Sequence, residues 1–342
     1  MKAYIVCPDG KYEFRNLPMP KYDAYSALVK MESCGICNGT DMKIIQHKLK
    51  GISYDKPIIL GHEGVGRVIE KGEKVQSFEI GDLVLQPSIG DVPEGYTSAW
   101  GSYAEYNIVS DAAAMKADGL IPDEFMYTQQ KLPADIDPVS AAMIITFREV
   151  LSTMKIFGME PNKSITILGL GPVGLSFVKF ARLTGMGPII ALDIVEEKLK
   201  LAKEYGADYV FNSKEVDVEK AVRGICPDGV DFVLDAVGIP AFINTGLSII
   251  KPSAKICVYG TNRINKVEID WSRCDYNWTL QFNQSPSVPL EVEAHNQILN
   301  WMKLGVLDPA DYVSHVFDFK DLNEAFAKIE RREPMMKMVV KF

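Results

Sequence analysis

The sequence predicts an α/β fold in two parts, and three observations point there. At 342 residues the chain is longer than one hydrophobic core usually supports. Up to about residue 110 it consists of short strand-like runs broken by turns. From Ser164 onward, apolar strands alternate with helical segments, which is the pattern of a doubly wound parallel sheet with helices on both faces.

The first part opens on Met1 to Pro8, which reads as a strand and lacks the apolar core of a signal peptide. Leu28 to Glu32, Gly64 to Ile69 and Asp82 to Leu85 read as further strands. Residues 111–131 lack clean periodicity and carry Gly119 and Pro122, so a long loop or lobe is expected there. Ser140 to Ile156 reads as a helix. In the second part, Ser164 to Leu168 is a buried strand, Val173 to Thr184 a helix, Ile189 to Leu192 a strand and Glu196 to Tyr205 a helix. Tyr209 to Phe211, Phe232 to Leu234 and Lys255 to Tyr259 are short strands. Helices over Glu291 to Leu304 and Asp321 to Arg331 and a strand over Lys337 to Phe342 follow. The N-terminal part lacks a closing helix and strand, and the C-terminal segment supplies both. The expected organisation is therefore a β-rich domain from residues 1–150 and 286–342, interrupted by a sheet domain over 151–285.

Composition narrows the function. Lys and Arg total 37 against 45 Asp and Glu, a formal charge of −8, which argues against general affinity for nucleic acid or anionic membrane. No run of about 18 apolar residues offers a membrane span. Six cysteines in so long a chain do not make a disulfide framework, so a reducing cytoplasm is expected.

Gly169-Leu170-Gly171-Pro172-Val173-Gly174 follows a strand and opens a helix, the context that a dinucleotide fingerprint requires. Gly169 permits a tight turn and Gly171 a close approach to pyrophosphate. Gly174 lets helix and strand pack closely, and the helix N-terminus offers N–H groups to the anion. Asp193 ends the next strand, where a carboxylate accepts hydrogen bonds from ribose hydroxyls and repels a 2′-phosphate. NAD is thus expected over NADP.

Cys37, His62 and Glu63 offer a thiol, an imidazole and a carboxylate, a set that can hold zinc and leave one position open. Zinc favours loss of an alcohol proton, which suits hydride transfer to a nicotinamide. Asp41 is expected to orient His62 from behind, and Thr40 to carry the alcohol proton toward solvent. Cys34-x-x-Cys37 also matches the spacing of a thioredoxin-like redox pair, but no βαβ pattern flanks it.

Gly61-His62-Glu63-x-x-Gly66-x-x-x-x-x-Gly72-x-x-Val75 resembles the zinc signature of the medium-chain dehydrogenases/reductases, the alcohol and polyol dehydrogenase superfamily. Phe78-x-x-Gly81-Asp82-x-Val84 and Gly101-Ser102-Tyr103-Ala104-Glu105-Tyr106 extend the likeness, which covers essentially the whole chain. The resemblance implies a GroES-like catalytic domain interrupted by a Rossmann domain, with Cys37 rather than Cys34 as the metal ligand. The sequence departs from the family pattern at four places. Asn38 lengthens the usual Cys-Gly-Thr/Ser-Asp run by one residue, and Lys43 stands where many members carry a relay histidine. Ile89 to Trp100 holds no cysteine, so one catalytic zinc and no structural zinc is expected. Met143 to Arg148, on the helix that gives relatives a further ligand, holds neither thiolate nor carboxylate.

Arg148, Glu149, Gln281, Asn283, Gln284, Asp91, Glu94 and Tyr96 are polar and expected near the substrate. The leading expectation is oxidation of a secondary hydroxyl of a polyol, sugar or cyclitol by a homo-oligomer, a dimer or tetramer. The alternatives are a dehydrogenase of a smaller secondary alcohol or amino-alcohol, and a non-catalytic nucleotide-binding or redox-sensing protein.

Overall fold

A computed structural model describes residues 1–261, 266–285, 287–331, 333 and 335–342. It divides into two compact units, Met1–Thr146 with His295–Phe342, and Phe147–Ala294. The expected boundary residue Pro286 lies outside the described residues.

In unit 1, β1 (Lys2–Val6), β2 (Tyr12–Asn16), β4 (Ile58–Ile59) and β7 (Thr97–Ser98) form a four-stranded sheet in the order β2-β1-β4-β7. A second sheet is built on the long β3 (Ser26–Ile36). One edge of β3 pairs with β5 (Glu63–Lys71), which continues to β6 (Leu83–Leu85). The other edge is shared. Ser26–Lys30 takes β8 (Tyr106–Ser110), and Ser33–Ile36 takes the C-terminal β16 (Lys337–Lys341), itself parallel to β15 (Val313–Asp318). Helix α10 (Leu322–Glu330) places Phe326 in the same core as Tyr4, Cys34 and Tyr103.

Short helices connect these strands. The Cys37 turn leads into α1 (Thr40–Ile45). Residues 111–131, expected as a long loop or lobe, contain α2 (Ala112–Ala117) and a 3₁₀ turn at Glu124–Thr128. Asp111 caps α2 by accepting the Ala114 N–H at 3.0 Å, and the alanines that follow are strong helix formers. Six residues are too few for a helical period to register in the sequence. The helix expected over Ser140 to Ile156 is divided into α3 (Pro138–Ala141) and α4 (Met143–Phe157).

Unit 2 carries one parallel sheet. Its strands are β9 (Ile165–Leu168), β10 (Ile189–Asp193), β11 (Tyr209–Asn212), β12 (Val230–Asp235), β13 (Ile250–Val258) and β14 (Thr279–Phe282), in the order β11-β10-β9-β12-β13-β14. That is the Rossmann order, with the strand direction of travel reversing between β9 and β12. Helices α5 (Pro172–Leu183), α6 (Glu196–Tyr205), α7 (Val218–Ile225) and α8 (Ala241–Ile249) alternate with the strands, and α9 (Val288–Lys303) leads back toward unit 1. The Gly169–Gly174 turn follows β9, at the switch point where open α/β sheets bind their ligands.

Candidate metal and dinucleotide sites

The candidate metal cluster lies where two segments of the chain meet. Cys37 follows the end of β3, His62 precedes β5, and Glu63 is the first residue of β5. One ligand atom from each lies within 4.8 Å of the others, and no other group of three or more such residues occurs among the described residues. His62 and Glu63 are buried and Cys37 is partly open. The inserted Asn38 is absorbed in a turn that closes on itself. The Asp41 N–H donates to the Cys37 carbonyl at 3.0 Å, the Cys37 N–H to Asp41 Oδ2 at 3.0 Å, and the Thr40 N–H to Cys37 Sγ at 3.4 Å.

Asp41 lies behind His62. Its Oδ1 is 3.3 Å from His62 Nδ1, so that Nε2 faces Glu63 at 3.9 Å. Its Oδ2 accepts the Tyr103 hydroxyl at 2.7 Å. Burial opposes a charged His62, but the bonds and charges of Asp41 and Cys37 outweigh it and raise the imidazole well above its ordinary value. The Trp100 ring packs beside His62 with centroids 5.2 Å apart.

Glu63 has an unexpected partner. Lys337, on β16, donates to Glu63 Oε1 at 2.6 Å and to Thr146 Oγ1 at 3.0 Å, and both charged side chains are buried. Thr146 sits on α4, and its hydroxyl bonds Glu63 Oε1 at 3.3 Å. Gly35 makes room for this arrangement, because a Cβ there would lie 2.1 Å from Glu63 Oε2. The donor set fits zinc: thiolate and carboxylate together balance a dication, while Lys337 and Asp41 balance each other.

Thr40 is the first residue of α1 and is half-buried; Lys43 lies one turn on. Burial pulls the Lys43 ammonium below its ordinary value, against the attraction of Cys37. Cys34 belongs to the β3 core, where burial pushes its thiol well up. All six cysteines are free thiols.

In unit 2, Pro172 and Val173 begin α5 directly after Gly171. A Cβ on Gly174 would lie 1.9 Å from the Gly169 carbonyl, so helix and turn pack at a distance only glycine allows. A Cβ on Gly171 would project into open space, which leaves the helix N-terminus accessible to an anion. Asp193 Oδ2 accepts the Leu170 N–H at 2.7 Å and Oδ1 the Ile194 N–H at 2.7 Å, so the carboxylate also braces the glycine turn.

Four of the polar residues expected near the substrate have partners within unit 2. Arg148 is fully buried, with Glu291 3.8 Å away. The amides of Gln281, Asn283 and Gln284 donate to the Ile156 carbonyl, Thr153 Oγ1 and the Gly260 carbonyl. Gln281 and Asn283 are half-buried and Gln284 is exposed, so of these four only Arg148 is an interior group.

Comparison with known proteins agrees with this architecture. The profile of the alcohol dehydrogenase GroES-like domain matches residues 23–122, and that of the zinc-binding dehydrogenases matches residues 172–283. The chain is similar to a probable D-xylulose reductase A of Arthroderma otae, 30% identical over 338 residues that cover 94% of this chain and 91% of the relative. It belongs to the zinc-dependent medium-chain dehydrogenase family. The chain is also similar to the sorbitol dehydrogenase of Bacillus subtilis, 29% identical over 79% of this chain and 78% of that enzyme. The fold matches benzyl alcohol dehydrogenase from Acinetobacter calcoaceticus with a TM-score of 0.81 at 22% identity, covering 100% of this chain and 99% of that one. Membership makes the chain an oxidoreductase with a GroES-like domain and a Rossmann domain. Among the described residues no helix is long and apolar enough to cross a membrane.

Proposed function

We propose that the protein oxidises a secondary hydroxyl of a polyol, sugar or cyclitol, passing hydride to NAD with one zinc ion per chain. The observation that carries this reading is the convergence of Cys37, His62 and Glu63 in a chain whose likeness to sorbitol dehydrogenase and xylulose reductase spans most of its length. Cys37, His62 and Glu63 would hold the zinc, which supplies Lewis acidity and lets an alcohol ionise near neutral pH. The residues of the chain then have separate tasks. Asp41, held by Tyr103, fixes the His62 ring so that Nε2 points into the cluster. Lys337 holds the Glu63 carboxylate in one orientation. Thr40 is assigned the alcohol proton, with Lys43 beyond it on the same helix. The Gly169–Gly174 turn and the N-terminus of α5 would bind the pyrophosphate, and Asp193 the adenosine ribose, which favours NAD.

The test is a kinetic panel of sorbitol, xylitol, glucose, inositol, threonine and 2-propanol with NAD and with NADP, alongside metal analysis. The proposal expects about one zinc per chain and the highest kcat/KM for a polyhydroxylated substrate with NAD. A preference for threonine or 2-propanol would move the assignment to a smaller alcohol. Zinc-free protein with undiminished activity would remove the metal from the reaction. The proposed setting is the reducing cytoplasm.

A further inference from the structure

Unit 1 contains a cavity of about 650 Å³, within the size range of small-molecule sites. The stretch before β3, the loop Ser88–Trp100 and the helical segment after β8 contribute its walls. Much of the lining is apolar, including Ile52, Ile89, Ile108, Met115, Phe125 and Met126. None of Cys37, His62 and Glu63 lines it. The cavity meets the metal site at Trp100, whose ring lies against His62 and whose backbone is held at φ +66°. Its lining extends to Ser26 and Ser110, which pair where β3 begins. The space therefore adjoins the candidate metal cluster at Trp100 without being lined by its three residues.

Charge selects the occupant. The ionisable lining groups other than tyrosine are Lys21 and three carboxylates, Asp23, Asp91 and Asp123. All four of these charged groups are exposed and stand at the rim, with Asp23 and Asp123 fixed by accepting the Tyr25 and Phe125 N–H groups. Tyr22, Tyr25, Trp100 and Phe125 add aromatic rings. The buried hydroxyl of Ser98 lines the same wall and has no hydrogen-bond partner among the described residues. Carboxylates and aromatic rings together attract an organic cation and disfavour an anion. We propose that this cavity binds a largely apolar organic molecule carrying a positively charged nitrogen.

The probe is trimethyl(4-phenylbutyl)ammonium, whose quaternary nitrogen has no lone pair and so cannot ligate a metal. Its comparators are the uncharged isostere with a tert-butyl group in place of trimethylammonium, and 4-phenylbutyrate. Titration calorimetry on the zinc-loaded full chain should show one saturable site for the cation. Binding should be at least tenfold weaker for the neutral isostere and absent for the carboxylate. The double variant Asp91→Asn/Asp123→Asn should bind the cation at least tenfold more weakly, with the helical cap kept because asparagine also caps. Equal affinity for all three probes, or an unaltered double variant, overturns the proposal. So does an oligomer that Met126→Arg dissociates while no probe binds, because the cavity is then filled by a second copy of the chain. These readouts do not depend on turnover, so they stand or fall separately from the proposed activity.

Discussion

Lys337 and Glu63 form a buried ion pair across 274 residues of sequence, with Nζ 2.6 Å from Oε1. The pair puts a fixed cation against a proposed metal ligand. Removing one partner of a buried pair strands the other charge and typically costs about 3–5 kcal/mol. Lys337→Met should therefore lower thermal stability sharply in chelator. With zinc bound, the carboxylate gains another positive partner and the loss should be smaller. Melting curves with and without metal measure the difference; an equal loss in both states would separate Lys337 from the metal site.

His62→Ala should abolish stoichiometric zinc and turnover while leaving NAD affinity within about twofold, because the glycine turn lies in the other unit. Metal analysis and cofactor titration on the same preparation check both halves. Full turnover in the variant would mean that the metal site is misassigned.

Asp193→Gly should weaken NAD and reduce discrimination against NADP by about tenfold or more. The variant also loses the brace on Leu170, so Asp193→Asn, which keeps an acceptor, should be the milder change. Kd values for both cofactors decide it, and a wild-type protein that binds NADP as well as NAD would contradict the assignment.

Thr40→Val should slow alcohol oxidation by about 10²-fold, the scale of a positioned proton-transfer group. Lys43→Ala should cost less, since solvent can replace the outer step. The diagnostic is the pH profile of kcat, which an unchanged Thr40→Val profile would strip of any relay.

Asp235 sets an expected pH dependence of stability. It ends β12 and accepts the Val237 and Gly238 N–H groups, yet burial pushes its carboxyl up to about 6. The folded state then binds more protons than the unfolded chain from about pH 4 to about pH 6. Its contribution to stability falls as pH rises through that window and is flat above it. A shift of that size corresponds to about 3 kcal/mol. Urea unfolding of wild type and Asp235→Asn should show wild type losing stability relative to the variant between pH 4 and pH 6. A constant difference would mean that Asp235 titrates normally.

The legible parts of this chain are those with local signatures. The glycine turn, Asp193 and the alternating strands and helices announce the Rossmann unit because each depends on neighbours within about thirty residues. Cys37, His62 and Glu63 stand out as chemistry-bearing residues in turns. What the sequence hides is long-range: Lys337, Thr146, Tyr103 and Trp100 reach the site through tertiary contacts that no spacing encodes. The partners of Gln281, Asn283 and Gln284 were hidden for a related reason. A polar side chain in a sequence does not reveal whether its partner is a substrate or the protein's own carbonyl, and here it is largely the latter. The helical residues 112–117 were missed because a cap and one and a half turns leave too short a periodic trace.

The pairing of β16 with the Ser33–Ile36 edge of β3 has a consequence for biosynthesis. A ribosome delivers Cys37, His62 and Glu63 early, then the whole of residues 147–294, and only afterwards the strand that carries Lys337. Throughout that interval the nascent chain holds the three proposed metal ligands beside an uncovered strand edge, with the Glu63 carboxylate lacking its counter-ion. Closing so long a loop is slow. Premature metal capture and edge-to-edge association are thus the characteristic hazards of an arrested chain, and both end when β16 docks.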